Sequence, residues 1–146
     1  MTRLLPYTPE QLYELVGDVR RYPEFVPWIT ALTATRPIRQ ADGSDHLSAE
    51  AHVGFSIVNE RFSTRVVRDP GARQINVKLI RGPFRHLTNQ WRFEPHDHGT
   101  EVVFDIDFEF KSRMLEALLA ANFERAVIRL INCFEERAKA LYGARG

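Results

Sequence analysis

Residues 112–142 contain neither glycine nor proline, and Leu115, Leu119, Phe123, Val127, Leu130, Phe134, Ala138 and Leu141 recur along them at spacings of three and four. That period is the one an α-helix imposes on a face turned toward a core. The spacing predicts a single C-terminal helix of about thirty residues, some 45 Å long at roughly 1.5 Å per residue. A helix that long carries an apolar face across the breadth of a whole small domain, so something equally broad must cover it.

The preceding chain supplies that cover. Between residues 29 and 110 strand-length pieces are separated by turn residues at Asp42-Gly43, near Gly54, and at Asp69-Pro70-Gly71, Gly82-Pro83 and His98-Gly99. They predict six strands joined as a meander. In the last of them Val102, Phe104, Ile106, Phe108 and Phe110 share one face, and Asp105, Asp107 and Glu109 share the other. An antiparallel sheet can bury one face and wet the other. The fold class is therefore α+β, a curved antiparallel sheet of six to seven strands around the long helix, which lies across its concave face.

At the start of the chain, Thr8 stands where a helix N-cap belongs, Pro9 takes the first helical position, and Gln11 completes a T-x-x-Q capping box. Leu12, Leu15, Val16 and Val19 form its buried stripe, while Glu10, Glu14 and Asp18 stay wet. Tyr22-Pro23 turns the chain out of helical geometry, and YPEFVPW (22–28) forms a packed aromatic elbow.

With 146 residues, 44% hydrophobic and 27% charged, the chain fits one domain spanning 1–146. Its 20 Lys and Arg nearly balance 19 Asp and Glu, so no long-range field gathers nucleic acid, and no DNA partner is expected. The lone Cys133 forms no internal disulfide and reads as a buried, inert thiol. No secretory or Arg-rich transit pattern and no apolar run of roughly 20 residues stands out. The expected location is cytoplasmic, with any membrane contact peripheral, at the inner membrane.

The search for catalytic chemistry returns little. His96, Asp97 and His98 cluster in a predicted hairpin turn without a fourth metal ligand, and His46 and His52 are six apart on one strand, too distant to converge. No nucleophile elbow, Walker loop or Rossmann glycine pattern occurs. No catalytic residue, metal or cofactor is expected.

YPEFVPW (22–28) and GPFRHLTNQWRF (82–93), in the order short strand, helix, elbow, six strands, long helix, resemble the START-like superfamily with its helix-grip fold. Within it the chain is most similar to the coenzyme Q-binding proteins and their bacterial relatives, which include a ribosome-association toxin. The resemblance spans nearly the whole chain and implies a non-catalytic protein that holds a polyisoprenoid quinone such as ubiquinone, or a similar lipid, between sheet and helix. Only a few residues precede Thr8, so the first strand of such a fold is expected to be short or frayed.

On that implication the cavity walls are Phe104, Ile106 and Phe108 from the last strand, with Phe84, Trp91 and Phe93 from the strand before it and Phe62 and Leu79 beyond. Leu115, Leu119, Asn122, Phe123 and Val127 face them from the helix. Phe25, Val26 and Trp28 form a lip or a membrane-touching patch. Arg61, Arg65, His86, Asn89 and Gln90 are the polar groups that reach a quinone carbonyl if they point inward. A dry cavity of about 300 Å³ would cost about 7 kcal/mol at roughly 24 cal/mol per Å³, so such a space is expected to be filled or closed.

Two other readings accompany the first. The toxin resemblance implies a ribosome-bound protein that blocks subunit association, with Arg20, Arg21, Arg36, Arg39, Arg61, Arg65, Arg68, Arg81 and Arg85 as phosphate contacts. Polyketide cyclases share the fold, and an enzyme of that kind would use His86 or Arg61 as its acid or base.

Overall fold

Turn chemistry divides the chain where the sequence places it. In a computed structural model, which describes residues 1–55, 58–120 and 122–143, the strands are β1 (Thr2–Leu5), β2 (Ile29–Ala34), β3 (Ile38–Arg39), β4 (Asp45–Phe55), β5 (Val58–Asp69), β6 (Gln74–Arg81), β7 (Phe84–His96) and β8 (Gly99–Phe110). They form one antiparallel sheet in the order β1-β8-β7-β6-β5-β4-β2, with β3 also paired to β4. The sheet thus has eight strands, more than the six to seven expected. The added one, β3, is a two-residue piece that Pro37 before it and the turn residues after it had hidden.

Helix α1 (Pro9–Gly17) begins with the complete capping box, in which the Gln11 amide donates to Thr8 Oγ1 and the Thr8 amide to Gln11 Oε1. A 3₁₀ turn (Val19–Glu24) follows and leads through the elbow into β2. The first strand is short, four residues, and pairs with β8.

Residues directly opposite one another across a ladder share a face. Leu47, Val66, Val77, Asn89 and Ile106 form one such row across β4 to β8, and Asp45, Arg68, Ile75, Trp91 and Phe104 form the next. These rows make the inner face, which the helices cover.

The C-terminal helix is not continuous as expected. It is split into α2 (Arg113–Ala120) and α3 (Phe123–Tyr142), with Asn122 at the start of the second. Neither glycine nor proline marks the break. Leu115 of α2 and Ala138 of α3 are both buried. The second helix starts at a short amide side chain, a type that supports a helix interior poorly, and Asn122 Nδ2 reaches back to the Leu118 carbonyl at 3.5 Å. The apolar stripe also ends differently. Leu141 is exposed, and Tyr142 takes its place by donating to the Gln11 carbonyl at 3.1 Å.

The core lies at the α1 end. Phe134 of α3 packs edge-on against Trp91, Phe25 and Tyr22 with ring centroids at 5.0, 5.1 and 5.2 Å. Leu12, Leu15 and Val16 of α1 close the space beside it. Arg68, on the inner face, holds Asp45 through two hydrogen bonds of 2.7 and 3.0 Å and the Gly17 carbonyl at 2.9 Å, which pins α1 to the sheet.

Phe134→Ala is expected to cost about 3–5 kcal/mol in urea unfolding, because three rings lose their common partner, whereas Leu141→Ala should change stability by less than about 0.5 kcal/mol. Alkaline titration offers a second check. Burial pushes the Tyr13 hydroxyl up to about 12, with Asp45 adding to it, and raises Tyr22 further. Raised folded values mean stability that is present below pH 10 and lost as the pH climbs toward 12. Tyrosinate absorbance and loss of circular dichroism should therefore rise together over that interval.

Candidate functional site

The inner face has two unlike halves. Toward α1 it is closed: Trp91, Phe93 and Phe104 are each no more than 4% exposed, with Trp91 stacked on Phe93 and edge-on to Phe104. Toward the opposite end, where β6 ends, β7 begins and β8 ends, Leu87 and Leu115 are buried but the phenylalanines keep partial exposure. There Phe62 meets Phe84 at 5.4 Å, Phe84 meets Phe108 at 6.0 Å and Phe110 at 4.8 Å, and Phe108 meets Phe123 of α3 at 5.2 Å. Val77, Leu79, Ile106 and Val127 line the same region and keep partial exposure. The result is an aromatic row beneath the α2–α3 corner that the fold leaves accessible.

Asn89 sits between the two halves. Its Nδ2 donates to the Asp105 carbonyl at 2.9 Å, engaging one amide hydrogen, and among the described residues its Oδ1 has no protein partner. Paired with Val77 and Ile106, it is a polar side chain of the inner face near the half-buried aromatics, as is the buried Thr64, two residues from Phe62.

Strand pairing places the other polar candidates on the outer face. Arg61 is exposed beside Glu50 at 3.8 Å, His86 Nε2 lies 3.1 Å from Asp107 Oδ1, and Arg65 is exposed between the buried Thr64 and Val66. Gln90 points outward too and donates to Asn76 Oδ1 at 2.9 Å. The structure therefore does not bring Arg61, Arg65 or His86 to the space under the helix, and neither group considered for acid–base work reaches it. Asp105, Asp107 and Glu109 are outward and exposed, as alternation predicted.

A concavity of about 420 Å³ crosses β5 to β8 on this outer face, lined by Arg65, Lys78, Asn76, Gln90, Asp105 and Asp107 among others. It is a saddle in the twisted sheet whose polar rim surrounds a mostly apolar floor that includes Val67, on the side opposite the expected cavity. The expected walls need correction as well. Trp91, Phe93 and Phe104 belong to the closed core and offer no surface to a ligand.

The elbow is also core rather than lip. Val26 is fully buried, and Phe25 is held between Phe134 and the Arg137 guanidinium, which sits 5.3 Å above its ring. Trp28 remains half-buried under Arg129 at 5.5 Å, and its carbonyl accepts from the Gly54 amide. Leu115 is buried, whereas Asn122 is exposed in the helix break and does not line the inner face. The Leu119 side chain lies outside the described residues.

Val77 and Phe110 join the aromatic row without having been expected as walls, although alternation had already put Phe110 on the apolar face of the last strand. Gly82 has φ +155°, and a Cβ there would stand 2.4 Å from Phe62 Cβ, so the Gly82-Pro83 turn is what seats the Phe62 ring.

The charged groups are largely engaged. Arg20 donates to the carbonyls of Ala34 and Thr35, Arg21 pairs with Glu24, Arg85 with Glu109, and Arg68 is internal. Arg36, Arg39 and Arg81 are exposed. Burial pushes the Cys133 thiol up, which keeps it protonated and unreactive.

A curved antiparallel sheet gripping a C-terminal helix, with part of its apolar inner face accessible, defines a START-like, helix-grip domain. The chain belongs to the polyketide cyclase/dehydrase and lipid transport family, whose model matches residues 5–135. It is 34% identical over 141 residues to the ribosome association toxin RatA of Rickettsia prowazekii, covering 94% of this chain and 93% of that protein. It is 31% identical over 150 residues to coenzyme Q-binding protein COQ10 homolog B, mitochondrial, of Xenopus laevis, covering 97% of this chain and 58% of that protein. The solution structure of the 18 kDa protein CC1736 from Caulobacter crescentus superposes with a TM-score of 0.82 at 53% identity, covering 99% of this chain and 97% of that one.

Gly82→Ala tests the seating of the aromatic row. The added methyl meets Phe62 in a backbone conformation that L side chains rarely adopt, so a loss of about 1–3 kcal/mol is expected. Chemical-shift changes should centre on Phe62 and Phe84 and leave Trp91 unmoved.

Proposed function

We propose that the protein binds a polyisoprenoid quinone, or a closely similar isoprenoid lipid, and holds it without converting it. The observation that carries this reading is the half-buried row Phe62, Phe84, Phe108 and Phe123, an apolar surface too large to leave facing water without a purpose. An isoprenoid tail laid along it gains about 0.8 kcal/mol for each methylene-sized group removed from water. Asn89, with an amide hydrogen to give, meets a quinone carbonyl at the inner limit of the row, and the tail leaves between the β6–β7 turn and α2. The outward turn of His86 and Arg61 supports a binding role over a catalytic one. The similarity to a protein named for coenzyme Q binding adds weight. In this reading the protein works in the cytoplasm, at the inner surface of the membrane that contains the quinone.

Organic extraction of protein purified from its own host should yield a quinone in near-stoichiometric amount, and added ubiquinone analogue should quench tryptophan fluorescence saturably. Phe108→Ser should weaken that binding by about tenfold or more, the worth of burying one large apolar side chain. Absence of any isoprenoid in the extract together with no saturable binding would end the proposal.

A second reading is favoured by a separate observation, the match over nearly the full length of both chains to a protein named ribosome association toxin. Here the exposed Arg36, Arg39 and Arg81 would meet phosphate. Sucrose-gradient sedimentation of ribosomes with the protein added should then shift the subunit profile in a salt-dependent way. A profile unchanged across salt concentrations would remove this reading.

A further inference from the structure

We propose that the open end of the domain, formed by the β6–β7 turn and α2, is a docking surface for an anionic lipid bilayer. Ile80 at the end of β6 is 49% exposed, and on α2 Met114 and Leu118 are 65% and 43% exposed. Met114 and Leu118 are four residues apart and share the outward face of α2, whereas the buried Leu115 points to the sheet. Scattered exposed apolar residues need no explanation, but a group at one end of a molecule does.

The two segments are joined in space. The Lys111 amide donates to the Pro83 carbonyl at 2.9 Å, and Phe84 of the turn stacks on Phe110 just before α2. The same junction borders the aromatic row, so the exposed side chains rim the place where that row meets solvent.

The charge at this end is net positive. Arg81, Arg85, Lys111 and Arg113 are exposed and outnumber the two neighbouring carboxylates, Glu109, which pairs with Arg85 at 3.5 Å, and Glu116, which accepts from the Phe110 amide at 3.0 Å. The chain as a whole carries only +1, so the fold has gathered cations here.

Apolar side chains that can insert, flanked by cations that can meet lipid phosphate, are what an interfacial membrane contact requires. A second copy of this chain would set Arg81, Lys111 and Arg113 against the same three cations across a two-fold axis. Nucleic acid would leave Met114 and Leu118 in water. The inference rests on the proposed quinone reading only for its purpose, since a lipid leaving the aromatic row here would enter hydrocarbon without crossing water.

The contact is tested with quinone-free vesicles of phosphatidylcholine, with and without phosphatidylglycerol, in a flotation assay. The full chain should float with the anionic vesicles and not with the neutral ones. Each cation neutralised should lower partitioning about fivefold. The triple variant Arg81→Glu, Lys111→Glu, Arg113→Glu, and separately the pair Met114→Asp, Leu118→Asp, should abolish flotation without changing thermal unfolding. Arg36→Glu with Arg39→Glu, on the sheet edge, should float as the parent does.

Failure of the parent to float, equal loss in the Arg36 and Arg39 control, or unimpaired flotation of both docking variants would overturn the inference. So would light scattering that shows a dimer abolished by Met114→Asp. Binding of a short-tailed ubiquinone analogue, measured without vesicles, separates the two proposals. Flotation without quinone binding removes the ligand reading alone, and quinone binding without flotation removes this one alone.

Discussion

Phe134 holds the fold together. Its ring is shared by Trp91 from the sheet and by Tyr22 and Phe25 from the elbow, so one buried side chain of α3 joins three parts of the chain that are far apart in sequence. Edge-to-face packing of four aromatic rings is directional as well as apolar, and it fixes the angle at which the helix crosses the sheet. Around it, the hydroxyls of Tyr7 and Tyr142 tie the C-terminal turn of α3 to the N-terminal segment and to α1.

Anchoring the helix at one end has a consequence at the other. A twisted sheet diverges from a straight helix, so a helix seated on Trp91 touches the far rings through its first residue, Phe123, which meets Phe108 at 5.2 Å. The break at Asn122 and the turn of α2 cover that divergence only in part. Closure by α1 and accessibility beneath α2 are therefore two results of one packing decision. The functional proposals occupy the accessible end because the closed end has no surface to offer.

Much of this was readable in advance. The capping box at Thr8, the hairpin turns and the alternation in residues 102–110 each depend on neighbours within a few positions, and each formed as its local chemistry requires. The aromatic row was not readable in the same way. The ladder slips between Ser63 and Thr64 and again between Phe84 and His86. The extra residues fall at Ile80 of β6 and Arg85 of β7 and reverse the parity beyond them, so counting along β7 could not tell that Phe84 shares a face with Leu87 and Phe110, whereas Arg61 and His86 lie on unbroken runs with Arg65 and Gln90. The helix break was hidden because Asn122, although a weak helix-interior residue, has no glycine or proline beside it to mark a stop.

By itself, the sequence determined an α+β chain with a capped first helix, a meander whose last strand has one apolar face, and an apolar stripe of helical period long enough to span it. These follow from short-range periodicity and turn stereochemistry. Tertiary structure alone decided which aromatics became core and which stayed accessible. Trp91, Phe93 and Phe104 are no more apolar than Phe84 and Phe108. They differ in their distance from the point where α3 is seated, and that distance is a property of two surfaces meeting, which no local pattern contains.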